Sequence, residues 1–153
     1  MSIAQDETER RVELMRDALR GHGMRLTHQR LEVMREIAAA DEHPDVERIF
    51  HKVRTRVPTI SLDTVYRTIA TLVELGCVIR VTLTPGRARY DANLTHHHHF
   101  VCTRCGIVRD IVDPSLDAVR APSGTTRLGR VETVEVQLRG VCADCERRGG
   151  ADG

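Results

Sequence analysis

The sequence predicts an α+β chain in two parts: an N-terminal winged helix-turn-helix, and a small C-terminal α/β domain holding a four-cysteine zinc site. Three observations carry this. Helix-like stretches with capping residues come first, and the hairpin-like run Val78–Leu83, Pro85-Gly86, Arg87–Asp91 follows them. Two Cys-x-x-Cys pairs, Cys102/Cys105 and Cys142/Cys145, bracket the C-terminal third. Four histidines, His96–His99, run straight into the first pair. The expected division is 1–90 and 91–153.

The elements follow in order. Residues 7–21 place Val12, Met15 and Leu19 on one helical face and stop at Gly21 and Gly23. Thr27 caps a second helix over 28–40, with Leu31, Met34 and Ile37 at helical spacing. His43-Pro44-Asp45 breaks the chain and starts a third helix carrying Val46, Ile49, Phe50 and Val53, which Pro58 ends. Ser61 caps a fourth through Leu75, with Gly76 as its stop. In a winged helix the last helix before the hairpin enters the major groove of DNA. Here Leu62, Val65, Ile69 and Leu72 are expected to face the core. Ser61, Thr64, Tyr66, Arg67 and Thr68 are left for solvent, phosphates or base edges. The wing offers Arg87 and Arg89. Further on, strands are expected at 98–102, 107–111 and 130–139, with a short helix begun by Pro114-Ser115 and ended near Pro122. The last strand, with alternating Val134, Val136 and Leu138, has an edge able to pair across a two-fold axis. Residues 147–153 are expected to be disordered.

Two Cys-x-x-Cys knuckles around one compact segment are a tetrahedral zinc signature. Gly106 follows Cys105 where a knuckle turn needs it. The charged first 20 residues do not read as a signal peptide. A reducing, cytoplasmic setting is therefore expected, which disfavours disulfides. Four thiolates fill a tetrahedron and leave no place for substrate, so this site holds structure. Cys77, among Leu75, Gly76, Val78 and Ile79, reads as a small buried hydrophobe.

Composition sets outer limits. Aromatics are 3% of 153 residues, so Val, Leu, Ile and Ala must build the core. Such a chain gains from metal staples and an oligomer interface. There is no apolar run of membrane-spanning length. Net charge is +1 with no polybasic tail, so charge alone does not point to nucleic acid.

Taken together, Gly23-Met24-Arg25-Leu26-Thr27-x-x-Arg30, His43-Pro44, Ser61-x-x-Thr64-Val65-Tyr66-Arg67, Arg89-Tyr90-Asp91, the histidine run into Cys102-x-x-Cys105-Gly106, and Gly140-Val141-Cys142-x-x-Cys145 carry a resemblance. The chain resembles the ferric uptake regulator family of metal-dependent repressors over roughly residues 10–147. The resemblance implies a C-terminal dimerisation domain and a homodimer on an inverted-repeat operator of double-stranded DNA. It puts Tyr66 and Arg67 on the recognition helix and Arg25 near the minor groove. It also implies a regulatory metal site of His43, Asp91, His97, His99 and Asp110. Residue spacing agrees, because His97 and His99, two apart, share a strand face. Imidazoles and carboxylates suit Fe2+, Mn2+ or Zn2+.

Aspartate at both carboxylate positions resembles the peroxide-sensing, PerR-type branch. There Fe2+ holds the repressor on DNA, and hydrogen peroxide oxidises a ligand His, His43 or His97. Mn2+ fills the site without reacting, and Zn2+ can occupy it in solution. The alternatives are an iron-uptake or a zinc-uptake repressor. More distant are a His/Asp metalloenzyme, for which no H-E-x-x-H pattern exists, and a zinc-ribbon interaction module. The chain is read as a non-enzyme, with no small-molecule substrate beyond peroxide. Some family members use positions like His96 and His98, with a later His, for a third metal. That later stretch, 130–137, has no His, so those two are expected to face solvent or a dimer interface. His22, His28 and His51 read as helix-surface residues.

Overall fold

The structure, a computed structural model, describes residues 4–149. The chain divides after Leu94 into two compact units. Asp91 falls in the first.

The first unit contains helices α1 (Gln5–Gly21), α2 (His28–Ala39), α3 (Val46–Arg54) and α4 (Leu62–Glu74). The antiparallel hairpin β1 (Ile79–Thr84) and β2 (Arg87–Asp91) follows. This is the winged helix-turn-helix that the sequence predicts. Its helix starts are set by side-chain caps: Thr27, Asp45 and Ser61 accept from the backbone N–H three residues on, at Arg30, Arg48 and Thr64. The end of α4 is set by Gly76 at φ 73°. Gly76 N donates to Val73 O and Cys77 N to Leu72 O, a Schellman closure that a residue with a Cβ would strain. The same closure brings Cys77, 2% exposed, next to the Leu72 layer. Burial pushes its thiol pKa up, as expected of an inert core cysteine.

The core of this unit is aliphatic. Met15, Val33, Met34, Ile37, Ile49, Val53, Val65, Ile69 and Leu72 are all essentially inaccessible. Two expectations for α4 are corrected. Leu62 is exposed and Thr68 is buried. The inward stripe is Val65, Thr68, Ile69 and Leu72, at helical spacing. Leu62, at the first helical position, lies beyond the layer that stripe packs on. Thr68 is tolerated inside because its hydroxyl donates to Thr64 O at 2.7 Å.

Besides Asp91, this unit buries a carboxylate on α2. Glu32 on α2 is 6% exposed. It accepts from Arg56 Nε and Arg35 Nη1, both at 2.7 Å. The Arg56 hydrogen bond, with Arg35 beside it, holds the Glu32 carboxyl below the usual range despite burial. A carboxyl with a lowered native pKa stabilises the fold above its unfolded pKa. That stability is lost as pH falls through the native value. Glu32→Gln is expected to cost about 1–3 kcal/mol at neutral pH and to flatten the acid limb of the stability profile. Thermal melts from pH 7 to pH 3 check both, and parallel profiles for parent and variant would be the contrary result.

The second unit contains β3 (His98–Cys102), β4 (Val108–Ile111), the short α5 (Pro114–Asp117), a 3-10 turn (Ser123–Arg127), β5 (Gln137–Gly140) and α6 (Ala143–Gly149). The sheet order is β4-β3-β5, with β4 antiparallel and β5 parallel to β3. Three expectations change here. The strand expected over 130–139 begins only at Gln137. In the observed register His99 faces Gln137, so residues before Val136 run past the start of β3 and meet no neighbouring ladder. The helix expected to reach Pro122 stops at Asp117, because it buries no side chain and short helices need packing to persist. Residues 147–149 are the last turn of α6 rather than disordered; 150–153 lie outside the described residues.

Candidate metal centre

The four paired cysteines converge in the second unit. Cys102 ends β3, and Cys105 follows on a turn in which Gly106 N donates to Cys102 O. Cys142 and Cys145 lie at the start of α6. All four sulfurs are within 4.8 Å of one another. Cys105 Sγ and Cys142 Sγ are 3.7 Å apart. Zn–S bonds of about 2.3 Å in a tetrahedron put sulfurs roughly 3.8 Å apart, whereas a disulfide needs about 2.05 Å. Every described cysteine is a free thiol. The donor set and its spacing fit zinc.

Electrostatics point the same way. The backbone N–H groups of Cys105 and Cys142 donate to Cys102 Sγ at 3.5 and 3.3 Å. They bring the Cys102 pKa down, to about 6. Cys145 is pushed up to about 12, first by its neighbour Cys142 and then by burial. Four sulfurs this close do not all ionise unaided, and a divalent cation is what lets them. Arg104 Nη1 donates to Cys145 O at 3.2 Å and fastens the two knuckles together. The sequence reading missed that clasp, because an arginine inside a knuckle carries no mark of its partner.

The imidazole and carboxylate candidates fall into two sets, one in each unit. In the first unit, His43 Nε2 lies 3.0 Å from Asp91 Oδ2, and both residues are buried. Asp91 Oδ1 accepts from Asn93 N at 2.7 Å, which orients the carboxylate. In the second unit, the His97 and His99 rings meet edge to face, with centroids 4.7 Å apart and 74° between their planes. Asp110 pairs with His99 across the β3–β4 ladder. Its Oδ1 is 3.4 Å from His97 Nε2 and 3.8 Å from His99 Nε2. His97 Nδ1 faces Thr95 O at 2.6 Å, and since a carbonyl only accepts, Nδ1 carries the proton. In the neutral ring Nε2 is then a lone pair turned toward a carboxylate. Two such acceptors face each other comfortably only around a cation, and this is the tautomer that metal-binding histidines adopt.

His96 is exposed, as expected of a solvent-facing residue, while His98 differs from expectation. His98 is wholly inaccessible rather than solvent-facing. Val136 N donates to its Nδ1 at 3.0 Å, so the proton sits on Nε2, which donates to Asp117 Oδ1 at 3.0 Å. His96 is half exposed, 3.7 Å from the same oxygen. Although the three could surround an ion, His98 turns a proton toward Asp117 where a ligand needs a lone pair. In this arrangement the trio fits a hydrogen-bonded latch between α5, β3 and the residue before β5 better than a metal. Asp117 was not named from the sequence; the Asp113 cap, which accepts from Ser115 N, is the local feature that places it.

The candidate DNA-contacting residues lie in the first unit. Arg25 is exposed at the turn before α2. On α4, Tyr66 is half exposed, and Arg67 is exposed in a solvated pair with Asp63 at 2.9 Å. Ser61 and Thr64 spend their hydroxyls on the helix cap, bonded to each other at 2.9 Å. Tyr66, Arg80 and Arg87 line one open cleft together with Asp45, Val46 and Glu47 at the start of α3. Arg87 pairs with Asp45 at 3.3 Å, and Arg89 Nη1 donates to His43 O at 3.2 Å. His22, His28 and His51 are exposed.

Comparisons with known proteins follow the same lines. The family model described as the ferric uptake regulator family matches residues 21–139. The peroxide-responsive repressor PerR of Staphylococcus epidermidis is 28% identical over 149 residues, covering 97% of this chain and 99% of that one. Among solved structures, the Helicobacter pylori ferric uptake regulator, described with three functional metal binding sites, superposes with a TM-score of 0.75 over 91% of this chain and 93% of that one. At 22% identity it speaks for the fold alone. A zinc-bound manganese uptake regulator reaches 0.69 at 28% identity, covering 84% of this chain and 98% of that one.

Proposed function

The chain belongs to the ferric uptake regulator family, and on that premise we propose that it is a metal-dependent, peroxide-sensing transcriptional repressor that binds inverted-repeat DNA as a homodimer. It is a regulator and not an enzyme. The observation that carries the metal reading is the pair His97 and His99 turned onto Asp110, with the His97 tautomer set by Thr95 O. Asp91 and Asp110 supply aspartate at both carboxylate positions, and the S. epidermidis relative is named peroxide-responsive.

In this reading one ion takes ligands from both sets. His43 and Asp91 alone give two donor residues, and His97, His99 and Asp110 alone give three. Combined, they give three imidazoles and two carboxylates, a set suited to those ions and to Zn2+. Binding both sets favours one arrangement of the two units. In a dimer, recognition helices meet successive major grooves when they sit about 34–36 Å apart. Metal selects that spacing by its differential affinity for one state. The four-cysteine set holds Zn2+ and keeps the second unit folded. Tyr66, Arg67, Arg25 and Arg87 are the residues offered to DNA, with Ser61 and Thr64 setting the helix start.

Fe2+ bound by His43, Asp91, His97, His99 and Asp110 would activate hydrogen peroxide, with the net result that one peroxide oxygen is inserted into a C–H of a ligand imidazole and the other leaves as water. The protein's part is to hold His43 and His97 close to that chemistry. Loss of an imidazole donor then weakens metal binding and releases DNA. A gel shift on an inverted-repeat operator is expected to show binding with Mn2+ or Fe2+ and none without. Peroxide is expected to release only the Fe2+ form, with added oxygen mass on peptides containing His43 or His97. Equal insensitivity of both forms would move the assignment to a metal-uptake repressor. The manganese uptake regulator among the structural relatives makes that the second reading.

A further inference from the structure

We propose that Arg89 is a positioning residue for the His43–Asp91 pair, strapping the wing to the loop that carries His43, and that it is not a contact to DNA. The inference rests on the metal reading above and adds a residue to it. Strand β2 is fastened to His43-Pro44-Asp45 almost residue for residue. Arg87 Nε pairs with Asp45 Oδ2 at 3.3 Å. Arg89 Nη1 donates to His43 O at 3.2 Å. Tyr90 N donates to Pro44 O at 3.1 Å. Asp91 Oδ2 meets His43 Nε2 at 3.0 Å.

Each bond has a distinct role. Pro44 lacks an N–H and restricts His43 to extended backbone, so the loop cannot hold itself by local hydrogen bonds. Its two carbonyls, at His43 and Pro44, are taken by β2 instead. Asp45 is at once the cap of α3, accepting from Arg48 N at 2.8 Å, and the partner of Arg87. The wing strand, the start of α3 and the backbone of His43 are thereby one mechanical piece. Arg89 differs from Arg87 in burial: Arg87 is exposed, while Arg89 is half-buried with its guanidinium turned onto a main-chain carbonyl. A guanidinium spent on that carbonyl fixes where the His43 ring starts.

The test separates this role from a phosphate contact. Arg89→Met keeps the apolar stem and removes the donor. Arg89→Lys restores one cationic donor. Mn2+ titration of the zinc-loaded protein is expected to show about tenfold weaker binding for Arg89→Met, the effect of losing one charge-assisted hydrogen bond, and partial recovery for Arg89→Lys. Zinc content should not change. At saturating Mn2+, Arg89→Met should bind DNA with the parent's affinity and salt dependence. A DNA affinity that stays low at saturating Mn2+, with the salt slope reduced by about one, is the signature of a lost phosphate contact and overturns the inference. His43→Ala is the control for the underlying reading. If His43→Ala binds Mn2+ like the parent, that reading fails and takes this inference with it. If His43→Ala loses Mn2+ while Arg89→Met does not, this inference alone is wrong.

Discussion

Stripping zinc from the four-cysteine set, by chelation or by Cys102→Ser, is expected to unfold the second unit while the first keeps its helices. The reason lies in what each unit buries. The first has a continuous aliphatic core drawn from four helices and the hairpin. The second buries few apolar side chains, chiefly Val101, Cys102, Val108 and Cys145, and two of these are themselves candidate zinc ligands. Structural zinc binding contributes about 10–16 kcal/mol of apparent free energy, as much as a whole domain's stability of about 5–15 kcal/mol. Cys102 is the choice because it accepts N–H bonds from both Cys105 and Cys142 and ends β3, so its loss removes a ligand and the hub of the knuckles. Hydrogen exchange resolved by residue, read with zinc content, checks this. Persistent protection of β3–β5 in a zinc-free Cys102→Ser protein would show that the sheet stands without the metal.

The signals legible in the sequence are those written in adjacent residues. Thr27, Asp45 and Ser61 each announce a helix start, and Gly76 an end, because a cap needs only its own turn. The cysteine pairs announce their site because ligand spacing is local within each knuckle. Most of what failed depends on partners distant in the chain. Whether 130–136 becomes a strand is decided by where β3 begins, and alternation in that segment does not encode this. The tautomer of His98 is set by Val136 and Asp117, neither of which stands near it in sequence. Thr68 looks solvent-facing because its type is polar, yet one hydroxyl bond to Thr64 O makes it fit the core stripe. The bond from Arg89 to His43 O is likewise not legible, since the charge is visible in the sequence and its carbonyl partner is not.

Asp110→Ala is expected to leave zinc content, fold and dimer intact and to abolish metal-activated DNA binding, with regulatory metal affinity down by more than about 100-fold. The separation follows from where Asp110 stands. It lies on β4, whose hold on β3 is a backbone ladder running from His98 and Ile111 to Val101 and Val108, and removing a side chain leaves that ladder in place. Its carboxylate is partly exposed and turned to His97 and His99, away from the cysteine set that β3 reaches at its other end. Asp110→Asn sharpens the point, since it keeps the shape and removes the charge that balances a divalent ion. A metal role predicts a loss for Asn nearly as large as for Ala, whereas a role in hydrogen bonding alone predicts rescue by Asn. Metal titration, gel shift and sedimentation on the same samples distinguish these. If Asp110→Ala instead falls apart into monomers with its metal response retained, Asp110 belongs to a subunit contact and the sensing site must be sought elsewhere.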